Sequence, residues 1–302
     1  MQHSSPTESA SGGTPLAVSF ELFPARTPEA EVALHETVAK LAKLEPRFMS
    51  VTYGAGGSTR EPTLGMLKFL VRDAKLPAAG HLTCVGSACT AVDEMVQRYL
   101  EAGVSHIVAL RGDPQGGLDE PYIPHPQGYA NAAALVKGIR AIADVEISVA
   151  SYPEKHPQSP SVEADLDMLA AKVDNGANRA ITQFFFDNDL YYRYLDRVRA
   201  RGIEIPVVPG IMPITNFSRV QSFATKCGAK VPARLAERFA ALGDDAAGQM
   251  MLAAEIAAEQ VADLREHGVG QFHFYTLNRA DIIFSIYQQL GLDTARAERR
   301  AA

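Results

Sequence analysis

Eight short runs of apolar, β-branched or aromatic residues recur along this chain, and each ends in a polar or ionisable residue before giving way to a helix-like stretch. They are AVSFELFP (17–24), RFMSVTYG (47–54), AAGHLTCV (78–85), HIVALRGD (106–113), EISVASYP (146–153), RAITQFFF (179–186), IPVVPGIMP (205–213) and QFHFYTL (271–277). Near-continuous apolar runs of this length read as strands buried on both faces, the mark of parallel sheets. Strand then helix, eight times over, predicts a closed (β/α)8 barrel of the TIM type. Such barrels keep their chemistry at the C-terminal strand ends, so the pattern points to the site before any motif is read.

The intervening segments carry helix punctuation. PEAEVALHETVAKLAKL opens on Pro28, suited to a first helical turn. AVDEMVQRYLEAG and SVEADLDMLAAKVDNG close on Gly103 and Gly176. Between Pro213 and Gln271 the spacing leaves room for extra helices, in SRVQSFATKCG, PARLAERFAAL and DDAAGQMMLAAEIAAEQVADLREHG. An open doubly wound sheet is the competing architecture, but its first turn is Gly-rich and FELFPARTP holds no glycine. One domain over 16–292 is expected. The Ser/Thr/Gly/Pro-rich stretch 1–15 is expected as a disordered tail without the features of a secretory signal, and 293–302 as a fraying end.

Composition narrows the function classes. With 47% hydrophobic and 21% charged residues the chain can bury a large core, and no apolar run approaches the roughly 20 residues of a membrane span. A net charge of −6 argues against general affinity for nucleic acid or anionic membrane. The three cysteines, Cys84, Cys89 and Cys227, cannot all pair within the chain, which suits a reducing cytoplasm. Histidines are scattered with no metal-ligand spacing, and neither GxSxG nor GxxxxGK[ST] is present.

The strand ends supply the candidates. Glu21 projects from an apolar strand end, where burial would raise its pKa toward that of a general acid; the alternative is a solvated rim carboxylate. Asp113 offers a fixed charge or a turn cap, next to Gly112, which would let backbone approach a ligand. Its Arg-Gly-Asp context terminates a buried strand and is not an adhesion loop. His81, inside the third run, is either a core histidine or a ligand contact. Tyr152 and His156, flanking a Pro-rich loop, can enclose a planar or phosphorylated ligand. Gln183 is an amide stranded among Ile and Phe, with donors and an acceptor suited to a heterocycle edge. TYGAGGST (52–59) could cradle phosphate. An inventory of carboxylates, an amide, aromatics and glycines suits a cofactor that carries the reaction itself.

Taken in order and spacing, SFELFPART, SVTYGAGGS, HLTC, HIVALRGDP, SVASYPEKHP, GANRAITQFFFD, PGIMPITNF and FHFYTLNRA resemble the methylenetetrahydrofolate reductase family from about Val18 to about Gly291. The resemblance implies a barrel flavoprotein that uses NADH or NADPH to reduce 5,10-methylenetetrahydrofolate. It implies Glu21 as the acid that protonates the departing nitrogen and Asp113 as the charge near flavin and pterin. Gln183 would read the pterin, with Phe223, Arg219 and Arg279 on the substrate side. For FAD it implies Thr52, Tyr53, Ala55, His81, Arg111, Gly112, Asp113, Tyr129, Ala130, Tyr152, His156, Asp165 and Lys172. The chain departs from the pattern at Met168 and Ala171, where the family often has Asn and Arg, and at Arg219, where a Gln is expected. One phosphate contact fewer is the implied consequence. Partners implied are the folate, the nicotinamide nucleotide and further copies of the chain, with no nucleic acid or membrane. The competing functions are another flavin-dependent barrel oxidoreductase, proline dehydrogenase-like, and a flavin- or folate-binding protein without catalysis.

Overall fold

The computed structural model describes residues 16–54, 59–114 and 116–292, so the expected tails at 1–15 and 293–302, and Ala55, lie outside the described residues. The elements run in the order β1 (Ala17–Leu22), α1 (Pro28–Ala42), β2 (Phe48–Val51), α2 (Arg60–Lys68), β3 (Ala78–Thr83), α3 (Cys89–Glu101), β4 (His106–Leu110) and α4 (Ala132–Ile142). They continue with β5 (Glu146–Ser151), α5 (Val162–Asp174), β6 (Arg179–Thr182), α6 (Asn188–Ala200), β7 (Val207–Val208), β8 (Gly210–Ile211), α7 (Phe217–Cys227), α8 (Ala233–Ala240), α9 (Ala246–Glu266), β9 (Gln271–Tyr275) and α10 (Ala280–Gln289). All pairings are parallel and the order is β7-β6-β5-β4-β3-β2-β1-β9-β8, a nearly closed barrel ringed by helices.

The seventh run is where observation departs from expectation. It forms two two-residue strands, β7 paired to β6 and β8 paired to β9, with Pro209 between them. Proline has no N–H to give a ladder, so the strand breaks there. The Pro209 carbonyl still accepts from His273 N–H at 3.0 Å, and Gly210 N–H donates to the Thr182 hydroxyl at 2.9 Å, so the broken strand joins the ring's two edges. A side chain at Gly210 would sit 2.4 Å from the Thr182 carbonyl; the close approach needs glycine.

Strand alternation sorts the residues. On β1, Val18, Phe20 and Leu22 enter the apolar cluster shared with the helices, while Ser19 and Glu21 face the other way. Phe48, Ala79, Val108 and Ile181 form a separate small cluster with Leu110. The helices obey their punctuation. Thr27 caps α1 by accepting from Ala30 N–H at 3.2 Å, Pro28 occupies the first turn, and Leu34, Val38 and Leu41 are buried on one face. Burying each such side chain contributes about 2 kcal/mol. The long interval before β9 holds α7, α8 and α9, as the spacing suggested. Among the described residues no helix is long and apolar enough to cross a membrane.

Candidate active site

At the C-terminal strand ends lies a cavity of about 1040 Å³. It is roomy against the usual ~300–1,000 Å³ of small-molecule sites, enough for more than one planar group. Glu21, at the end of β1, is on its wall with a side chain 13% exposed. Its Oε2 stands 3.5 Å from His81 Nε2 on β3 and 4.0 Å from His273 Nε2 on β9. Burial is the main cause that lowers the His81 pKa; Glu21 opposes it and His273 adds to it. The Tyr275 phenol donates to the Thr182 carbonyl at 2.7 Å, and burial, then the Glu21 charge, raise its pKa far above the ordinary value. His273 and Tyr275 both line the cavity, and neither was singled out from the sequence. The signal was the period of two in QFHFYTL. The register pairs Ser19 with His273 and Glu21 with Tyr275, so all four share a face.

A second wall comes from the loops after β4 and β5. Gly112 has φ 83°, and a Cβ there would meet Val85 Cγ1 at 2.5 Å, so only glycine fits. The Arg111 guanidinium donates to Gln158 Oε1 at 2.7 Å, lies 4.5 Å over the Tyr122 ring and sits 3.8 Å from Asp113. Asp113 itself lines the cavity with its side chain 57% exposed. Tyr152 and His156 meet edge to face at 4.8 Å, and Asp165 fixes their loop by accepting from His156 N–H and from the Ser159 hydroxyl, both at 2.5 Å. Burial first, then Arg111, lower the His156 pKa. Lys172 faces inward from α5 beside Leu169, donating to the Ala150 carbonyl at 2.8 Å, and burial pulls its pKa down to about 8.

The rim is aromatic and cationic. Phe184 stacks on Phe223 at 5.5 Å; Phe223 is 48% exposed. Gln183 Oε1 accepts from Phe184 N–H at 3.0 Å, which leaves the amide NH2 for a ligand. Arg219, just inside α7, and Arg279, at the start of α10, line the same opening.

The structure therefore brings Glu21, Thr52, Tyr53, His81, Arg111, Gly112, Asp113, Tyr152, His156, Gln183, Arg219, Phe223 and Arg279 to one cavity. Tyr129, Ala130, Asp165 and Lys172 are not on its lining. Tyr129 instead donates to Asp93 at 2.6 Å, and Asp165 and Lys172 lie behind the wall that His156 and Ala150 present. On the cavity lining, Thr83 Oγ1 and His81 Nε2 are buried with no hydrogen-bond partner. Orphaned donors and acceptors on a concave wall, a glycine cradle and nearby Arg111 and Lys172 fit a polar heterocycle bearing phosphate.

The methylenetetrahydrofolate reductase family model matches residues 8–291. The chain is 45% identical to the 5,10-methylenetetrahydrofolate reductase of Pectobacterium carotovorum subsp. carotovorum over 283 residues, 92% of each. It is 43% identical to that of Escherichia coli (strain K12), over 91% of this chain and 90% of the other. Among solved structures, an uncharacterized protein from Clostridium thermocellum that binds two copies of 5-methyl-5,6,7,8-tetrahydrofolic acid superposes with TM-score 0.61, at 14% identity and 94% coverage of both chains, a likeness of fold alone. With its barrel, its acid-bearing cavity and these relatives over nearly its whole length, the chain belongs to the methylenetetrahydrofolate reductase family.

Proposed function

We propose that this protein reduces 5,10-methylenetetrahydrofolate to 5-methyltetrahydrofolate, with FAD as resident cofactor and NADH or NADPH as donor, in the one-carbon metabolism that serves methionine synthesis in the cytoplasm. The observation that carries the reading is a nearly enclosed carboxyl, Glu21, facing a cavity large enough for two planar partners. The flavin, when bound, supplies the two-electron chemistry that links nicotinamide to folate. Arg111 and Lys172 favour its pyrophosphate by charge. Thr52, Tyr53, Ala55, His81, Gly112, Tyr129, Ala130, Tyr152, His156 and Asp165 complete the set assigned to it, directly or through the loops they hold.

Glu21 protonates the nitrogen that leaves as the five-membered ring opens. The C–N bond breaks, the nitrogen keeps the electron pair and takes the proton, and the one-carbon unit becomes an iminium cation. Asp113, close to the reacting ring, stabilises that cation by its charge. Gln183 reads the pterin edge through its free amide NH2, Phe223 packs on the flat ligand, and Arg279 and Arg219 face the folate's anionic end. One cavity favours alternation of donor and acceptor, and association of the chain with its own copies is part of the same reading. The test is optical. The purified protein should be yellow, bleach under NADH or NADPH and recover its colour on adding methylenetetrahydrofolate; a colourless protein that cannot be reconstituted with FAD overturns the proposal.

A further inference from the structure

Two imidazoles converge on one oxygen of Glu21. His273 approaches Oε2 from β9, next to β1, at 4.0 Å, and His81 from β3, two strands away on the other side, at 3.5 Å; their side chains are 2% and 9% exposed. In so dry a place a charge on one group is felt by the others. The remaining ionisable groups facing His273 are His106 from β4 and Tyr275 from its own strand, whose ring meets the imidazole edge to face at 5.4 Å. Arg179 on β6 lies beyond His106.

The other nitrogen of His273 is not free. Nδ1 is 2.7 Å from the Ser19 hydroxyl, whose oxygen is also 3.4 Å from the Phe272 carbonyl. A hydroxyl has one hydrogen. Given to the carbonyl, it leaves Oγ to accept from Nδ1–H, and both contacts are made; given to Nδ1, it leaves the carbonyl contact unmade. The first arrangement turns a bare Nε2 toward Glu21. A bare nitrogen opposes a carboxylate and favours a protonated carboxyl. At 4.0 Å this acts through the field and not through a formed hydrogen bond.

We propose that His273 is a positioning residue that keeps Glu21 loaded with its proton, and that Ser19 sets the tautomer by which it does so. This rests on Glu21 being the acid of the proposed reaction. After the proton leaves for the ligand, the carboxylate faces a lone pair, which drives its reprotonation from solvent entering the emptied cavity and resets the site.

Two experiments separate this proposal from the reading it rests on. In the flavin-loaded enzyme, the pH profile of the folate half-reaction should fall on the alkaline side as Glu21 loses its proton. His273→Gln, which offers Oε2 an N–H donor instead of a lone pair, should move that inflection about one unit lower, so that at the wild-type midpoint the variant's rate is about tenfold below its own plateau while the wild type is only about twofold below its own. An unmoved inflection with only KM changed overturns the proposal. In the ligand-free wild-type protein, histidine 15N shifts should report His273 as the Nδ1–H tautomer, and Ser19→Ala should abolish that preference. An Nε2–H tautomer in the wild type overturns it, whatever the activity. Absence of any folate reduction by the wild type sinks the functional reading and leaves the tautomer measurement to judge His273.

Discussion

The N-terminal and C-terminal halves of the barrel interior are built by the same alternation yet treat polar groups in opposite ways. Toward the N-terminal end, His106 Nε2 is 2.8 Å from the Ser148 hydroxyl, Arg179 forms an ion pair with Glu146, and its guanidinium lies 5.4 Å from the centre of the Phe48 ring. These side chains face one another across neighbouring strands. Toward the C-terminal end, His81 Nε2 and Thr83 Oγ1 are buried without a hydrogen-bond partner, and Arg219 and Arg279 form no ion pair with any described residue. Burying polar groups unpaired costs stability, about 1–3 kcal/mol each, unless a ligand completes them. One half holds the barrel together; the other is left incomplete for a ligand.

Substitutions should break that contrast along its own line. The largest effect is expected from Glu21→Gln, which removes the acid and keeps the shape. Folate reduction should fall about a thousandfold, within the ~10²–10⁴ range of general acid catalysis, while bleaching by the nicotinamide persists and thermal stability holds. Equal loss of both half-reactions in rapid-mixing experiments would sink the assigned role.

In the other half the change is one of stability. His106 has its pKa pulled down to about 3, chiefly by burial and then by the Arg179 charge. The unfolded chain therefore binds the extra proton between pH 6.5 and about 3, and stability is lost as pH falls through that window. At pH 5 the loss from this residue is about 2 kcal/mol relative to neutral pH. Denaturant unfolding of His106→Asn at pH 7 and pH 5 should show that much less acid sensitivity; equal sensitivity in both proteins would show that His106 is not the source.

The smallest effect belongs to the rim. Phe223→Ala removes a half-exposed ring stacked on Phe184 and should raise KM for the folate several-fold, about 1 kcal/mol, with little change in melting temperature. A drop of several degrees would instead make Phe223 part of the core.

Much of this was legible in the sequence because barrels repeat. Eight apolar runs marked out the barrel's strands, and their endings located Glu21, Asp113, Gln183 and the Tyr152–His156 pair on one face, where the structure has them. What escaped was non-local. Pro209 splits the seventh run because that stretch must serve two neighbours, β6 and β9, from distant parts of the chain. His273 and Tyr275 read as members of an apolar strand, and only its pairing with β1, some 250 residues away in sequence, sets them beside Glu21. The depth of Lys172 was not legible either: its helix sets it behind the cavity wall, against the Ala150 carbonyl.

The sequence by itself determined the period, and the period determines the architecture: parallel strands need helical crossovers, and right-handed crossovers close on themselves. Only the tertiary structure decided which strands meet when the ring closes, because the first and the last become neighbours through a register that no local pattern encodes. That closure places Ser19 against His273 and Glu21 between two imidazoles, and so sets the surroundings of that carboxyl.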